Sequence, residues 1–393
     1  MAVGVALLML LSTSIPPVAA APGVSKTIIK IGLHAPLTGA SPVPSASVDR
    51  GKDLYFRWLK RQGRDIHGRN VQVIVKNDQY NPSTAAAVCK EMVETDHVLM
   101  IFGIGGADPM RACAQYASSV GVPYVGAGNG TLGFKNLDTY FATTMTWRAQ
   151  GRLLADYFVA RRRAGARKNG VVYFDSPSFS EPVGPFKQAL GNRDADLDYQ
   201  RAFSRTAGVA EARAAVQEMK LAGIQNAFIQ ATPIWFLQLL NQANEQSYEP
   251  TWMGIDSGVA HNTLMGPGCR GGGSLDGARF FSGYPAIADS DRFDPNFRRA
   301  VAKLEPGSNP DDYMWELWAL DRVIAKMLNR TGRRLTRDRF VARVERTDKI
   351  KTGIGPTLRY SRRDHFGASS THVLRADCSD ERWHTAATFK RHF

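Results

Sequence analysis

The chain has 393 residues, 44% hydrophobic and 22% charged, a composition that excludes a disordered or fibrous protein. It is too long for one core, so two domains are expected. Its formal net charge is +14, but no aromatic platform or recognition motif accompanies the basic residues, so nucleic acid is not expected as a partner.

Residues 1–21, MAVGVALLMLLSTSIPPVAAA, carry no charged side chain. Their apolar core, Val5–Leu11, is too short to span a bilayer, and Ala19 and Ala21 supply an A-x-A cleavage pattern. The expectation is a secretory signal peptide, with the protein exported to the periplasm or cell-envelope exterior and soluble after cleavage. The missing Lys or Arg after Met1 departs from the usual leader. No Cys lies near the cleavage point, so a lipid anchor is not expected.

Strand-like runs then alternate with helix-like runs, as in parallel sheets covered by helices. The strands are Ile28–Leu33, Val71–Lys76, Val98–Phe102 and Pro123–Val125; the helices are Val48–Arg61, Ser83–Thr95 and Pro109–Ser119. Ile28–Gly39, IIKIGLHAPLTG, is an apolar strand closed by a Pro/Thr/Gly turn, and in open α/β sheets the carboxyl ends of strands are where ligands bind. The corner at Gly103–Pro109 fails the dinucleotide pattern because its last glycine is replaced by Asp108. With Pro109 at the first helical position, Asp108 is expected as the N-cap. Its carboxylate would then occupy the free N–H groups and repel an anion, leaving the backbone of Gly105, Gly106 and Ala107 to make contacts. The next corner, Gly126–Thr131, offers close backbone approach and the side chains of Asn129 and Thr131 around Gly130.

A second alternation of similar size starts near Trp147. It reads helix Arg148–Arg163, strand Val171–Phe174, helix Ser180–Leu190, strand Leu197–Phe203, helix Val209–Leu221, strand Ala227–Gln230, helix Pro233–Glu245 and strand Thr251–Met253. Gly266–Gly273 reads as a surface loop. Strand Ala278–Gly283 is followed by helices Pro295–Leu304 and Asp311–Asn329, and the strand-rich tail Thr357–Phe389 should add strands to one sheet. The basic runs Lys326–Lys351 and Arg161–Lys168 could attract an anionic surface, a membrane or nucleic acid, but with no aromatic platform or recognition motif beside them they read as solvated helix faces.

Catalytic motifs are not found. Asp194–Asp198 lacks the Gly and Glu of a calcium loop, and there is no C-x-x-C, H-E-x-x-H or G-x-S-x-G, so neither a metal, a cofactor nor an enzyme is expected. The four cysteines fit two disulfides in an exported chain. Cys89 and Cys113 fall on successive helices of one domain, with Cys269 and Cys378 left as the second candidate pair. Trp147, Phe179 and Trp235 fall where a second lobe would face a first. Asp256, just after strand Thr251–Met253, is either a site carboxylate or the cap of a helix near Val259.

Taken in order, these corners resemble the type I periplasmic-binding fold, in particular the branched-chain amino-acid (Leu/Ile/Val) binding proteins of ABC transporters. The residues that carry the resemblance are IKIGLHAPLTG from Ile29, DRGKDLYFRWLKRQG from Asp49, NDQYNPSTAAAVCKEMV from Asn77, VPYVGAGNGTL from Val122, WMGIDS from Trp252 and IGPTLRY from Ile354. The resemblance implies two doubly wound α/β lobes joined by three crossovers near Met145, Gly283 and Lys351. Lobe 1 would be 22–145 plus 283–350 and lobe 2 146–282 plus 351–393. It implies a non-enzymatic receptor that closes over a small molecule and delivers it to the membrane subunits of an ABC permease; a ligand sensor coupled to a signalling partner is the alternative. By matched position, lobe 1 would contribute Gly105–Ala107 and Asn129–Thr131 with the Thr38–Pro44 loop at the edge, lobe 2 Trp147, Phe179, Thr232 and Asp256, and Tyr313 would sit near the hinge. Amino-acid binders of this family carry hydroxyl residues at the first corner for the α-carboxylate and an acidic residue near the first crossing for the ammonium. Here those places hold Gly105–Asp108 and Trp147. A buried charge without a partner costs several kcal/mol. The expected ligand is therefore less polar or aromatic, stacked by Trp147, Phe179 or Trp235, with Asp256 taking one hydrogen bond or one cation.

Overall fold

Five short apolar runs pair in parallel to form the first sheet of the computed structural model, which describes residues 21–127, 133–162, 167–255, 262–270 and 274–390. Apart from Ala21, the expected leader lies outside the described residues. The strands are β1 (Ile28–Ala35), β2 (Asn70–Asn77), β3 (Met100–Gly103), β4 (Tyr124–Gly126) and β5 (Tyr140–Ala142), in the order β2-β1-β3-β4-β5. Ile29, Ile31 and Leu33 on one face of β1 and Gly32 and His34 on the other are buried, as a central strand covered on both faces requires. Helices α1 (Ser45–Gly51), α2 (Leu54–Arg61), α3 (Pro82–Glu94) and α4 (Ala107–Ser119) fill the connections. Asn81 caps α3 by accepting from the N–H groups of Ser83 and Thr84, with Pro82 at the first helical position. The expected single helix Val48–Arg61 is broken at Lys52–Asp53, where Gly51 presses against Met314 and Leu317.

The second half repeats the pattern. In chain order it runs α5 (Trp147–Arg162), β6 (Asn169–Phe174), α6 (Pro177–Ser180), α7 (Val183–Gly191), β7 (Tyr199–Phe203), α8 (Val209–Leu221), β8 (Asn226–Gln230), α9 (Pro233–Glu245), β9 (Thr251–Gly254), α10 (Met265–Cys269) and β10 (Arg279–Ser282). Its parallel strands stand in the order β10-β9-β8-β6-β7, which read from β7 is the same winding as the first sheet. Each sheet therefore reverses direction once, between β1 and β3 and between β6 and β8. Part of the expected Gly266–Gly273 loop is instead α10, whose Gly268 lies tight against Leu275 and Leu240; residues 271–273 fall outside the described residues.

After β10 the chain returns to the first sheet. α11 (Ser290–Phe293), α12 (Asn296–Leu304), α13 (Asp312–Thr331) and α14 (Arg337–Glu345) follow; α12 packs on α2, and α13 packs on α1, α2 and α14. The strands β11 (Thr371–Asp377) and β12 (Arg382–Lys390) then extend the second sheet as an antiparallel edge beside β10. Beyond Lys351 the chain still contacts the first sheet. Phe366 bridges to Ala142 of β5, the Tyr360 hydroxyl donates to the Ala142 carbonyl at 2.9 Å, and the His365 ring stacks on Phe141 at 4.4 Å. This stretch has no sustained strand period, so its attachment to β5 is a tertiary choice. Among the described residues, no helix is long and apolar enough to cross a membrane.

Cys89 of α3 is joined to Cys113 of α4 with Cα atoms 5.7 Å apart, and Cys269 at the end of α10 to Cys378 beyond β11 at 5.4 Å. They close loops across 24 and 109 residues of chain, which restricts the unfolded ensemble. Reduction of both is expected to lower unfolding free energy by about 2–4 kcal/mol per bridge. The urea midpoint with and without reductant measures this; an unchanged midpoint would show that the bridges do not hold the fold.

Candidate functional site

The carboxyl ends of both parallel sheets open onto one cleft, enclosing a cavity of about 120 Å³. One wall is built by Ser41 and Val43 after β1, Tyr80 after β2 and Gly103–Ala107 after β3. The other is built by Phe179 after β6, Thr232 after β8 and Phe281–Ser282 of β10. Ligand sites in doubly wound sheets lie at the points where strand order reverses, and here both reversals, β1/β3 and β6/β8, border the same cavity.

The first wall depends on small residues. A side chain at Gly103 would collide with the Tyr124 hydroxyl and the His34 ring. That ring is fully buried and hydrogen-bonds Asp78 and Tyr124, each at 2.7 Å. Gly105 has φ +84°, a region L-residues avoid, and a Cβ there would press on Pro36 and Val43. The Asn77 side chain fixes the loop after β1 by accepting from the N–H groups of Leu37 and Thr38. Gly105, Gly106 and Ala107 line the cavity, and their N–H groups make no hydrogen bond among the described residues. Those of Gly106 and Ala107 are donors that α4 leaves over at its start.

Asp108 does something different from what its position in sequence suggests. The N-cap is Gly106, so Asp108 lies within the first turn of α4 and does not line the cavity. Its carboxylate, only 2% exposed, accepts from Ser178 Oγ at 2.8 Å and Arg205 Nη1 at 2.7 Å. Both partners come from the second sheet's connections, while Arg111, one turn along α4, is 3.4 Å away. Arg205 also lies over the Tyr80 ring at 5.1 Å, and burial pushes the Tyr80 hydroxyl up to about 12. Asp108 thus ties the two halves together beside the cleft.

Trp147, Phe179, Thr232 and Tyr313 all line the cavity. Trp147 opens α5 and its ring lies 5.4 Å from that of Phe179. Thr232 caps α9, accepting from the Trp235 N–H at 3.4 Å. Trp235 does not line the cleft. It is buried in the second lobe between Phe174 and Phe203, at 5.3 and 4.9 Å, because it sits one turn into α9 on the sheet-facing side. Asn129, Gly130, Thr131 and Asp256 lie outside the described residues.

Sequence reading missed the carboxylates that do reach the cavity. Asp312 and Glu316 stand one turn apart at the start of α13 and flank Tyr313. Asp312 accepts from the backbone N–H of Asn262 at 2.9 Å and from its side-chain amide at 3.3 Å. Burial pushes the Asp312 carboxyl up to about 7; the Asn262 N–H opposes this and the Asp311 carboxylate adds to it. The i, i+4 spacing around Tyr313 was the available signal. The cavity lining therefore combines backbone donors, carboxylates and aromatic rings.

The sequence matches the family described as periplasmic binding protein over residues 28–382. No curated protein sequence matches it. Among solved structures it is similar to the fatty acid ABC transporter substrate-binding protein from Thermomonospora curvata, at 16% identity over 95% of this chain and 94% of that one, with a TM-score of 0.80. It is also similar to a branched chain amino acid ABC transporter protein from Thermus thermophilus with bound valine (14% identity, 93% and 97% covered, TM-score 0.78). A third is the solute binding protein of an ABC transporter from Rhodopseudomonas palustris BisB5 in complex with 3,4-dihydroxy benzoic acid (18%, 93% and 98%, TM-score 0.76). With nearly the whole folded chain matched and two sheets of identical winding around one cleft, this protein belongs to the periplasmic binding protein family, in its type I fold.

Proposed function

We propose that this protein is an exported receptor that captures one small molecule between its lobes and delivers it to the membrane subunits of an ABC permease, without chemistry of its own. The lobes are 22–145 with 283–350, and 146–282 with 371–393, and residues 351–370 form the last connection. The observation that carries the reading is the single cavity bordered by the strand-order reversal of both sheets.

The ligand is a small molecule with an aromatic or apolar body. A cavity of about 120 Å³ is comparable with the ~150 Å³ apolar cavities that take up a benzene ring, and far below what a long acyl chain needs. Trp147, Phe179, Tyr80 and Phe281 supply the rings that would pack on it. Gly105–Ala107 would donate to an acceptor on the ligand, and Asp312 with Glu316 would meet a donor or cation, the part expected of Asp256. Calorimetric titration with leucine, isoleucine and valine should show no micromolar binding, while single-ring compounds bearing an amine or hydroxyl should bind. Micromolar affinity for any of the three amino acids would sink the reading.

Closure is favoured by whatever contacts exist only when the lobes meet. Asp108 with Ser178 and Arg205 is such a contact. Arg205→Ala leaves a buried carboxylate short of a partner, a loss of about 1–3 kcal/mol. We expect it to weaken ligand binding about tenfold or more and to expand the liganded protein in small-angle scattering. Arg111→Ala, a change within one lobe, should leave both nearly unchanged; equal effects would argue against a closing role for Asp108.

Asp312 has a folded pKa above its unfolded value. Its contribution to stability is therefore present below about pH 4 and is lost as pH rises through about 7. Thermal melts of the ligand-free protein should show Asp312→Asn gaining on the wild type across that interval. A constant difference between the two would contradict the assigned titration.

A further inference from the structure

The basic stretch from Lys326 to Lys351 takes no part in the cleft. It holds ten Lys and Arg against three Asp and Glu, a surplus of seven and so half of the chain's +14. In the fold it is the last six residues of α13, the turn after it, α14 and the following residues. Arg330, Arg333, Arg334, Lys349 and Lys351 are exposed, and none is ion-paired among the described residues.

Four cations of the stretch converge. Lys326, Arg330, Lys349 and Lys351, with Asn329, line an open pocket of about 420 Å³. Lys326 Nζ donates to the carbonyls of Lys351 and, at 3.4 Å, Thr352; Arg330 Nη2 donates to the Lys349 carbonyl at 3.0 Å. Carbonyls orient these groups without neutralising them. Burial, with the Arg322 and Arg330 charges nearby, lowers Lys326 to about 8 even though Asp294 opposes this. The pocket is thus a crowd of positive charge that an anion would relieve. Along α13, Lys326 and Arg330 lie about 15–20 Å from Glu316, so the pocket is remote from the cleft.

We propose that this end of the first lobe docks on an anionic phospholipid surface, the pocket taking a headgroup phosphate and the flanking arginines lying over neighbouring headgroups. A free phosphate would leave the flanking arginines unused. A protein partner would need an apolar or aromatic anchor, yet none of the exposed large hydrophobic residues falls within 326–351. Charge without an anchor suits a headgroup layer. Docking by this end leaves the cleft open to solvent.

The test is co-sedimentation of the full-length mature protein with vesicles of phosphatidylcholine alone and of phosphatidylcholine with phosphatidylglycerol, at low and high salt. The wild type should bind only the anionic vesicles and be released by salt. Arg330→Glu with Lys349→Glu and Lys351→Glu should bind about tenfold more weakly or worse with an unchanged thermal midpoint. Arg333→Gln with Arg334→Gln, on an exposed turn, is a second variant expected to weaken binding should the first fail to fold. Equal binding to neutral vesicles, or full binding by the variants, would overturn the proposal. So would saturable binding of inorganic phosphate, or of polyglutamate, by a protein that ignores anionic vesicles.

Discussion

A parallel strand covered on both faces has only its ends open to solvent, and its carboxyl end is where neighbouring connections part to opposite faces. This protein contains that constraint twice. Two sheets of the same winding present their reversal points to one cavity, so the residues just after β1, β3, β6 and β8 become neighbours although they are far apart in sequence. Small residues at Gly103 and Gly105 keep the first edge low. Aromatic residues at Trp147 and Phe179 raise the second. What remains between them is a slot of about 120 Å³.

Charge is partitioned along the same frame. The chain is strongly basic, yet among the described residues the charged side chains that line the slot are carboxylates, Asp312 and Glu316. The opposite end of the same helix joins the most basic stretch of the chain. A single element, α13, thus carries acid to the cleft and base to the outer surface, with its middle turns buried against α1, α2 and α14.

Much of the fold was readable because periodicity and punctuation agree. The Asn-Pro-Ser-Thr start of α3 and the run Pro233–Glu245 appear where the pattern places them. β5 was not seen, since three residues are too few for a period. In the site, corners that follow strands were legible, and Gly105–Ala107, Trp147, Phe179, Thr232 and Tyr313 line the cavity. Asp108 departs from its expected capping place for a physical reason. A helix starting two residues earlier removes it from the capping position, and no local pattern announces that Ser178 and Arg205 arrive from the other lobe. Trp235 was placed by its neighbourhood in sequence, whereas its face of α9 decides that it is core. Asp312 and Glu316 were missed because their role depends on where α13 begins relative to the cleft.

The central claim is that the cleft holds one small, mostly apolar ligand bearing a donor or cationic group. Native mass spectrometry of the purified protein, with fragmentation of whatever mass is released, tests it most directly. The expected result is a single bound molecule with one ring or a compact apolar body and an amine or hydroxyl. Release of leucine, isoleucine, valine or a long-chain fatty acid would contradict it.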